Sequence, residues 1–227
     1  MEPKYRDKFN VIKKIVNNDA PTIVEVGSHY GEDTLRFLEV FWGASVFCFE
    51  ADPRNVSILE KYVMDDHIEI ISLAVSNIDN KIVDFYQSYI PTIDDKVPKK
   101  YAWIENEDYF GLKLNSSGAS SLKKGYPGSS SIIKVKTIRL DTWVKERDID
   151  SIDLLWIDVQ GAEKEVLEGM RSIANRVKHT WIEYGESQYE GYLDRESTIK
   201  SCRELGFSLV DKHSSRGKTG DLLFRRK

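Results

Sequence analysis

Cysteine is scarce in this chain: among 227 residues there are 2, Cys48 and Cys202, in neither a CxxC pair nor a metal-ligand spacing. That scarcity excludes a disulfide framework as the basis of the fold, and both thiols read as reduced and buried. Long apolar runs are missing as well. No stretch approaches the roughly 18 to 20 apolar residues that cross a bilayer, and Met1 to Lys8 is strongly charged. A protein without a membrane span, working in the cytoplasm, is the expectation. Positive charge is not in excess either, since 33 Lys and Arg stand against 37 Asp and Glu for a formal charge of −4. A nucleic-acid partner is therefore not expected.

What is present is an ordinary globular balance of 41% hydrophobic and 31% charged residues, in a length that suits one domain able to cover both faces of a sheet. Apolar periodicity gives the order of elements. Phe9, Ile12 and Val16 mark an opening helix, Pro21 breaks it, and Thr22 to Val26 reads as a short buried strand. Leu35, Leu38 and Trp42 repeat at helical spacing, and Val46 to Phe49 is a second strand. Asp52 and Pro53 then cap a helix whose buried stripe is Val56, Leu59 and Val63. Ile68 to Ala74 reads as a third strand, with the alternating Ile82, Asp84, Tyr86 stretch beside it.

A polar and aromatic insertion follows at about 88–131, with Tyr89, Trp103, Tyr109 and Phe110; a segment of that length in a compact domain is usually functional or mobile, and an acceptor-binding or lid role is the expectation. The regular pattern resumes with strands at Ile132 to Leu140, Ile152 to Asp158 and Thr180 to Tyr184. Helices carrying Ala162, Val166, Met170 and Ile173, and then Ile199, Cys202 and Leu205, alternate with them. Phe207 to Val210 and Leu222 to Arg225 form a closing hairpin. Alternating strands and helices predict an α/β domain with a mainly parallel sheet and helices on both faces.

The segment from Ile23 to Thr34 carries the most chemical information, because a buried strand there runs into a glycine turn and then a helix. Gly27 lets the chain turn sharply as it leaves the strand, and Gly31 lets backbone approach a ligand or the helix start. Glu50 falls at the tip of the second strand, where an acid that hydrogen-bonds both hydroxyls of a ribose is expected. The acid before the glycines, Glu25, would repel a pyrophosphate but suits the ammonium of a methionine moiety. The two acids together favour S-adenosylmethionine over a nicotinamide cofactor. Asp52 serves as a helix cap, as a ribose contact, or as both. Ala74, Val75 and Ser76 would lie beside the adenine by the same strand-end logic.

At these residues the chain resembles the FkbM family of S-adenosylmethionine-dependent methyltransferases. The matching segments are Glu25 to Thr34, Phe49 to Pro53, Ala74 to Ser76, Gly118 to Leu122, Thr137 to Asp141, Asp153 to Glu163 and Val166 to Gly169, with the strand bearing Glu183. The resemblance implies a Rossmann-like class I methyltransferase fold: a mostly parallel seven-stranded sheet, helices on both faces and a C-terminal antiparallel hairpin. Cofactor contacts are then expected at Glu25, Gly27, Ser28, His29, Gly31, Thr34, Glu50, Ala51, Asp52, Ala74, Val75, Ser76 and Asp158. The family more often has Asp at position 25 and Glu at position 160, where this chain has Glu25 and Gln160. If the family's glutamate acts chemically, Gln160 puts that role in doubt here and leaves open a binding module without turnover.

Methyl transfer from a sulfonium is an in-line displacement, so the protein must hold the acceptor oxygen behind the methyl carbon and exclude water. A group that takes the hydroxyl proton adds a factor of roughly 10² to 10⁴. Asp158 and Glu183 close neighbouring apolar strands and are the expected catalytic acids, with a shared divalent cation as an open option. His29 in the glycine turn reads as a loop histidine, and Glu163 as a favourable charge at a helix start. The resemblance implies O-methylation of a sugar or glycan hydroxyl, or of a small hydroxylated natural product.

Overall fold

The structure is a computed structural model that describes residues 8–89, 103–105, 117–125, 129–185, 189–214 and 219–227. The first half runs α1 (Lys8–Val16), β1 (Thr22–Val26), α2 (Glu32–Val40), β2 (Ser45–Phe49), α3 (Pro53–Tyr62), β3 (Ile68–Ile71), β4 (Ala74–Ser76) and β5 (Ile82–Tyr89). The second half runs β6 (Ser129–Arg139), α4 (Leu140–Glu146), β7 (Ile152–Ile157), α5 (Glu163–Gly169), β8 (Val177–Gly185), α6 (Arg195–Glu204), β9 (Phe207–Ser214) and β10 (Thr219–Arg226). Asp52 starts α3 as expected: its side chain accepts from Arg54 N at 3.0 Å, a cap worth about 1 kcal/mol.

The main sheet has 7 strands in the order β3-β2-β1-β7-β8-β10-β9. β3, β2, β1, β7 and β8 pair in parallel, while β10 runs antiparallel between β8 and β9. Both faces are covered, which is why β1 and β7 read as nearly continuous apolar runs. Alternate residues serve opposite layers. Val24, Val26, Leu155 and Ile157 pack with Trp143, Val166 and Ile199, while Ile23, Leu154 and Trp156 pack with Ile12 and Phe37. Trp156 stacks on Trp181 at 5.0 Å and 3°, a pair worth about 0.5–1.5 kcal/mol beyond its burial. The two thiols sit in different layers, Cys48 in one and Cys202 in the other, both buried and free.

The strand order reverses direction between β1 and β7, and a crevice opens beyond strand tips at such a switch point. Registers Val26↔Phe49 and Val26↔Ile157 set Gly27, Glu50 and Asp158 side by side at those tips.

Three sequence expectations are corrected. The run from Ile68 to Ala74 is not one strand: β3 ends at Ile71, a tight turn brings Leu73 N to Ile71 O at 2.9 Å, and β4 joins a second sheet. That sheet has 3 strands in the order β4-β6-β5, so the Ile82 to Tyr86 strand lies beside β6 and not beside β3. Trp42 does not belong to the buried stripe of α2 and is 81% exposed. The helix ends at Val40, and its inward residues are Thr34 and Phe37, followed by Phe41. Much of the insertion at 88–131, including Tyr109 and Phe110, lies outside the described residues.

Candidate active site

The floor of the site is a close approach of two loops. Gly27 N and Ser28 N donate to Phe49 O at 2.9 and 3.1 Å, and Asp158 N donates to Val26 O at 3.0 Å. Gly27 has φ +91, and a Cβ there would lie 1.8 Å from Asp158 O. Only glycine lets the β1 and β7 loops meet in this way.

Two crevices open from that floor and share Gly27, His29, Gly118 and Asp158. One is largely apolar, walled by Val26, Phe49, Ala51, Leu73, Ala74, Val75, Phe85 and Leu122, and holds about 540 Å³ including its mouth. Glu50 is its acid. Glu50 Oε2 accepts from His29 N and Oε1 from Asp52 N, each at 2.7 Å. Burial pushes this carboxyl up to about 7, against the pull of those two backbone bonds.

The other crevice is acidic, lined by Glu25, Ser28, Glu32 and Asp33 beside the shared residues. Glu25 is buried and accepts from Thr34 Oγ1, and from Cys48 Sγ at 3.7 Å. Burial first, and then the charge of Asp33, raise its proton affinity well above the carboxylate range. Asp33 is raised by burial too, countered by Lys8 Nζ at 2.8 Å.

At the far side of Asp158 a polar chain crosses to the next strand. Gln160 Nε2 donates to Asp158 Oδ1 at 2.5 Å and to Glu183 Oε2 at 3.0 Å. Tyr192 OH donates to the same Glu183 oxygen at 2.8 Å. Burial, with the neighbouring Asp158 charge, pushes Glu183 up to about 9, and burial raises Asp158 as well. Gln160 thus sits between two acids, where a glutamate would add a third negative charge. Its amide performs a task open only to a donor.

The segment from Ser117 to Leu122 closes the cleft from above, fastened to the loop after each central strand. Ser117 Oγ lies 3.0 Å from His29 Nε2 and donates to Tyr30 OH at 2.6 Å. Ser120 Oγ donates to Asp52 Oδ2 at 3.1 Å, and Ser121 Oγ to Gln160 O at 2.6 Å. His29 Nδ1 faces Glu32 Oε1 at 3.0 Å, so the ring is held at both nitrogens.

Of the sequence-predicted residues, Glu25, Gly27, Ser28, His29, Glu50, Ala51, Ala74, Val75 and Asp158 line one crevice or both. Gly31, Thr34, Asp52 and Ser76 stand behind the lining. Gly31 packs toward Leu59 and Val63, Thr34 orients Glu25, and Asp52 is bound by Arg54, Gln87 and Ser120. The Ser76 carbonyl lies against Gly169. Glu183 lines neither crevice and reaches the site through Gln160. Glu163 is fully buried at the start of α5, accepts from Gly161 N at 3.0 Å, and burial lifts it to about 8. Sequence reasoning missed Asn55, Asp33, Tyr30 and Tyr192. The polar side chain soon after Pro53 was the available signal for Asn55.

An apolar slot with a buried acid, joined to a crevice of carboxyls that favour a positive ligand, fits an adenosyl sulfonium with its amino-acid tail. The sheet order and the site define a class I methyltransferase fold, and solved structures share it. The crystal structure of an FkbM methyltransferase from Methylobacillus flagellatus KT matches at TM-score 0.54 and 14% identity, over 92% of this chain and 44% of that one. This chain spans less than half of that protein's length. Magnesium protoporphyrin IX methyltransferase from Synechocystis PCC 6803, solved with bound S-adenosylmethionine, matches at TM-score 0.50 and 10% identity, over 96% of this chain and 79% of that one.

The particular family follows from sequence. The methyltransferase FkbM domain matches residues 25–209, and the chain belongs to that family. It is 31% identical over 216 residues to the 2-O-methyltransferase NoeI of Sinorhizobium fredii (strain NBRC 101917 / NGR234), covering 94% of this chain and 83% of that protein. The protein is an S-adenosylmethionine-dependent methyltransferase. Among the described residues no helix is long and apolar enough to cross a membrane, and no group of three or more His, Cys, Asp or Glu is placed to hold a metal ion.

Proposed function

We propose that this enzyme methylates an oxygen, a hydroxyl of a saccharide, with Asp158 and Glu183 at the reacting centre. The observation that carries the reading is the Asp158–Gln160–Glu183 chain beside the acidic crevice. When bound, S-adenosylmethionine supplies a methyl group on a sulfonium. Glu25 meets the positively charged tail, Glu50 meets the ribose, and the Ser117 to Leu122 segment keeps water out. In its ionised form Glu183 takes the hydroxyl proton as the oxygen attacks, so activity rises with pH toward about 9, while Asp158 orients that oxygen. Gln160 holds the two carboxyls in register. Tyr192, half-buried with its OH on Glu183, gives the acceptor a flat ring with a polar edge that suits a sugar face. The 2-O-methyltransferase relative supports oxygen as the acceptor atom.

The test is transfer of labelled methyl from S-adenosylmethionine to a panel of oligosaccharides and small hydroxylated metabolites, with the product position read by mass spectrometry. An O-methyl sugar is the expected product, and Asp158→Ala should abolish its formation. Transfer only to nitrogen or carbon would overturn the reading, and transfer only to non-sugar hydroxyls would overturn the saccharide.

A further inference from the structure

The apolar crevice holds a polar group that neither the fold nor the methyl-transfer chemistry uses. Asn55, in the first turn of α3, is 2% exposed and belongs to the crevice lining, yet its Oδ1 is buried without a hydrogen-bond partner among the described residues. A buried amide oxygen left unpaired carries its full desolvation cost. Because Asn55 belongs to the crevice lining, a ligand bound there would supply the missing partner. Phe49, Leu73, Val75, Phe85 and Leu122 share the lining, and these apolar walls suit a flat base better than a hydrated sugar.

We propose that Asn55 reads the adenine of the cofactor: its oxygen accepts from the exocyclic 6-amino group and its NH₂ donates to the adjacent ring nitrogen. Donor and acceptor lie side by side on the amide and on the adenine edge, so one planar group meets both. An ionised Glu50 cannot take this part, because it offers acceptors only and the adenine edge also needs a donor. The inference rests on the placement of the cofactor in the crevice and makes Asn55 its nucleobase-specificity residue.

Calorimetry with S-adenosylhomocysteine and its 6-desamino purine counterpart tests this without turnover. The wild-type protein should bind the desamino compound about 10- to 100-fold more weakly. Asn55→Leu, close in volume and without polar atoms, should lose a similar factor on S-adenosylhomocysteine and show no preference between the two. Equal affinity of the wild type for both ligands overturns the proposal with no variant needed. An Asn55→Leu protein that keeps the wild-type preference overturns it as well. If folded wild-type protein binds neither ligand, the cofactor site itself is wrong, and the proposal falls with it.

Discussion

Side by side at the tips of β1 and β7, the two crevices differ in how their polar groups are satisfied. On the apolar side Glu50 is fixed by backbone N–H groups of two separate loops, so its direction is set before any ligand arrives. On the acidic side Glu25 and Asp33 lean on each other, Asp158 and Glu183 are bridged by one amide, and burial is the first cause of every raised proton affinity. The first arrangement is rigid and suited to the neutral part of a ligand. The second is electrostatically poised, and a positive ligand relieves it. One cleft thus separates recognition of shape from recognition of charge.

The sharpest way to break that contrast is Glu183→Gln. It should lower kcat by about 10² to 10⁴ while leaving calorimetric affinity for S-adenosylhomocysteine nearly unchanged, because Glu183 lines neither crevice. A comparable loss of affinity would mean that Glu183 holds cofactor instead. Next in size is Gly27→Ala at the shared floor, where the new Cβ meets Asp158 O at 1.8 Å. A destabilisation of about 2–4 kcal/mol in chemical denaturation is expected. Binding of adenosine and of S-adenosylmethionine should weaken together, and an unchanged unfolding midpoint would contradict the close approach.

Glu25→Gln separates the halves more gently. It should weaken S-adenosylmethionine about tenfold, the scale of one charge-assisted hydrogen bond, and leave methylthioadenosine, which lacks the amino-acid tail, unaffected. Equal losses on both would remove Glu25 from the tail site.

The smallest effect is on stability against pH. Carboxyls whose folded proton affinity exceeds the unfolded value hold more protons when folded, so stability falls as pH rises between the two values. For Glu163 at about 8 and Glu183 at about 9, the window opens near an unfolded carboxylate value of about 4.3. The melting temperature of cofactor-free protein should decline from about pH 5 to about pH 9, with a shallower slope in Glu183→Gln. A rise over the same range would contradict the burial of these acids.

Much of this was legible in sequence where one physical cause dominated. The buried strands of the main sheet announced themselves as apolar runs because helices cover both faces, and Gly27 and Glu50 fell at tips whose spacing follows from strand length. Other features were hidden. The break between β3 and β4 falls at Ser72 and Leu73, which carry no glycine or proline to mark a change of sheet. Trp42 kept helical spacing with Leu35 and Leu38, but the helix had already ended, and spacing alone does not show where a helix stops. The role of Gln160 depends on a strand partner far along the chain, and Asn55 looked like any polar residue at a helix start.

The departure of β4 into a separate small sheet has a consequence for the crevice. Phe85 of β5 joins the lining of the apolar crevice, while the sequence between β5 and β6 carries the long polar and aromatic insertion. Because β5 and β6 pair outside the large sheet, changes in the stretch between them reach the crevice wall without touching a strand pairing of that sheet.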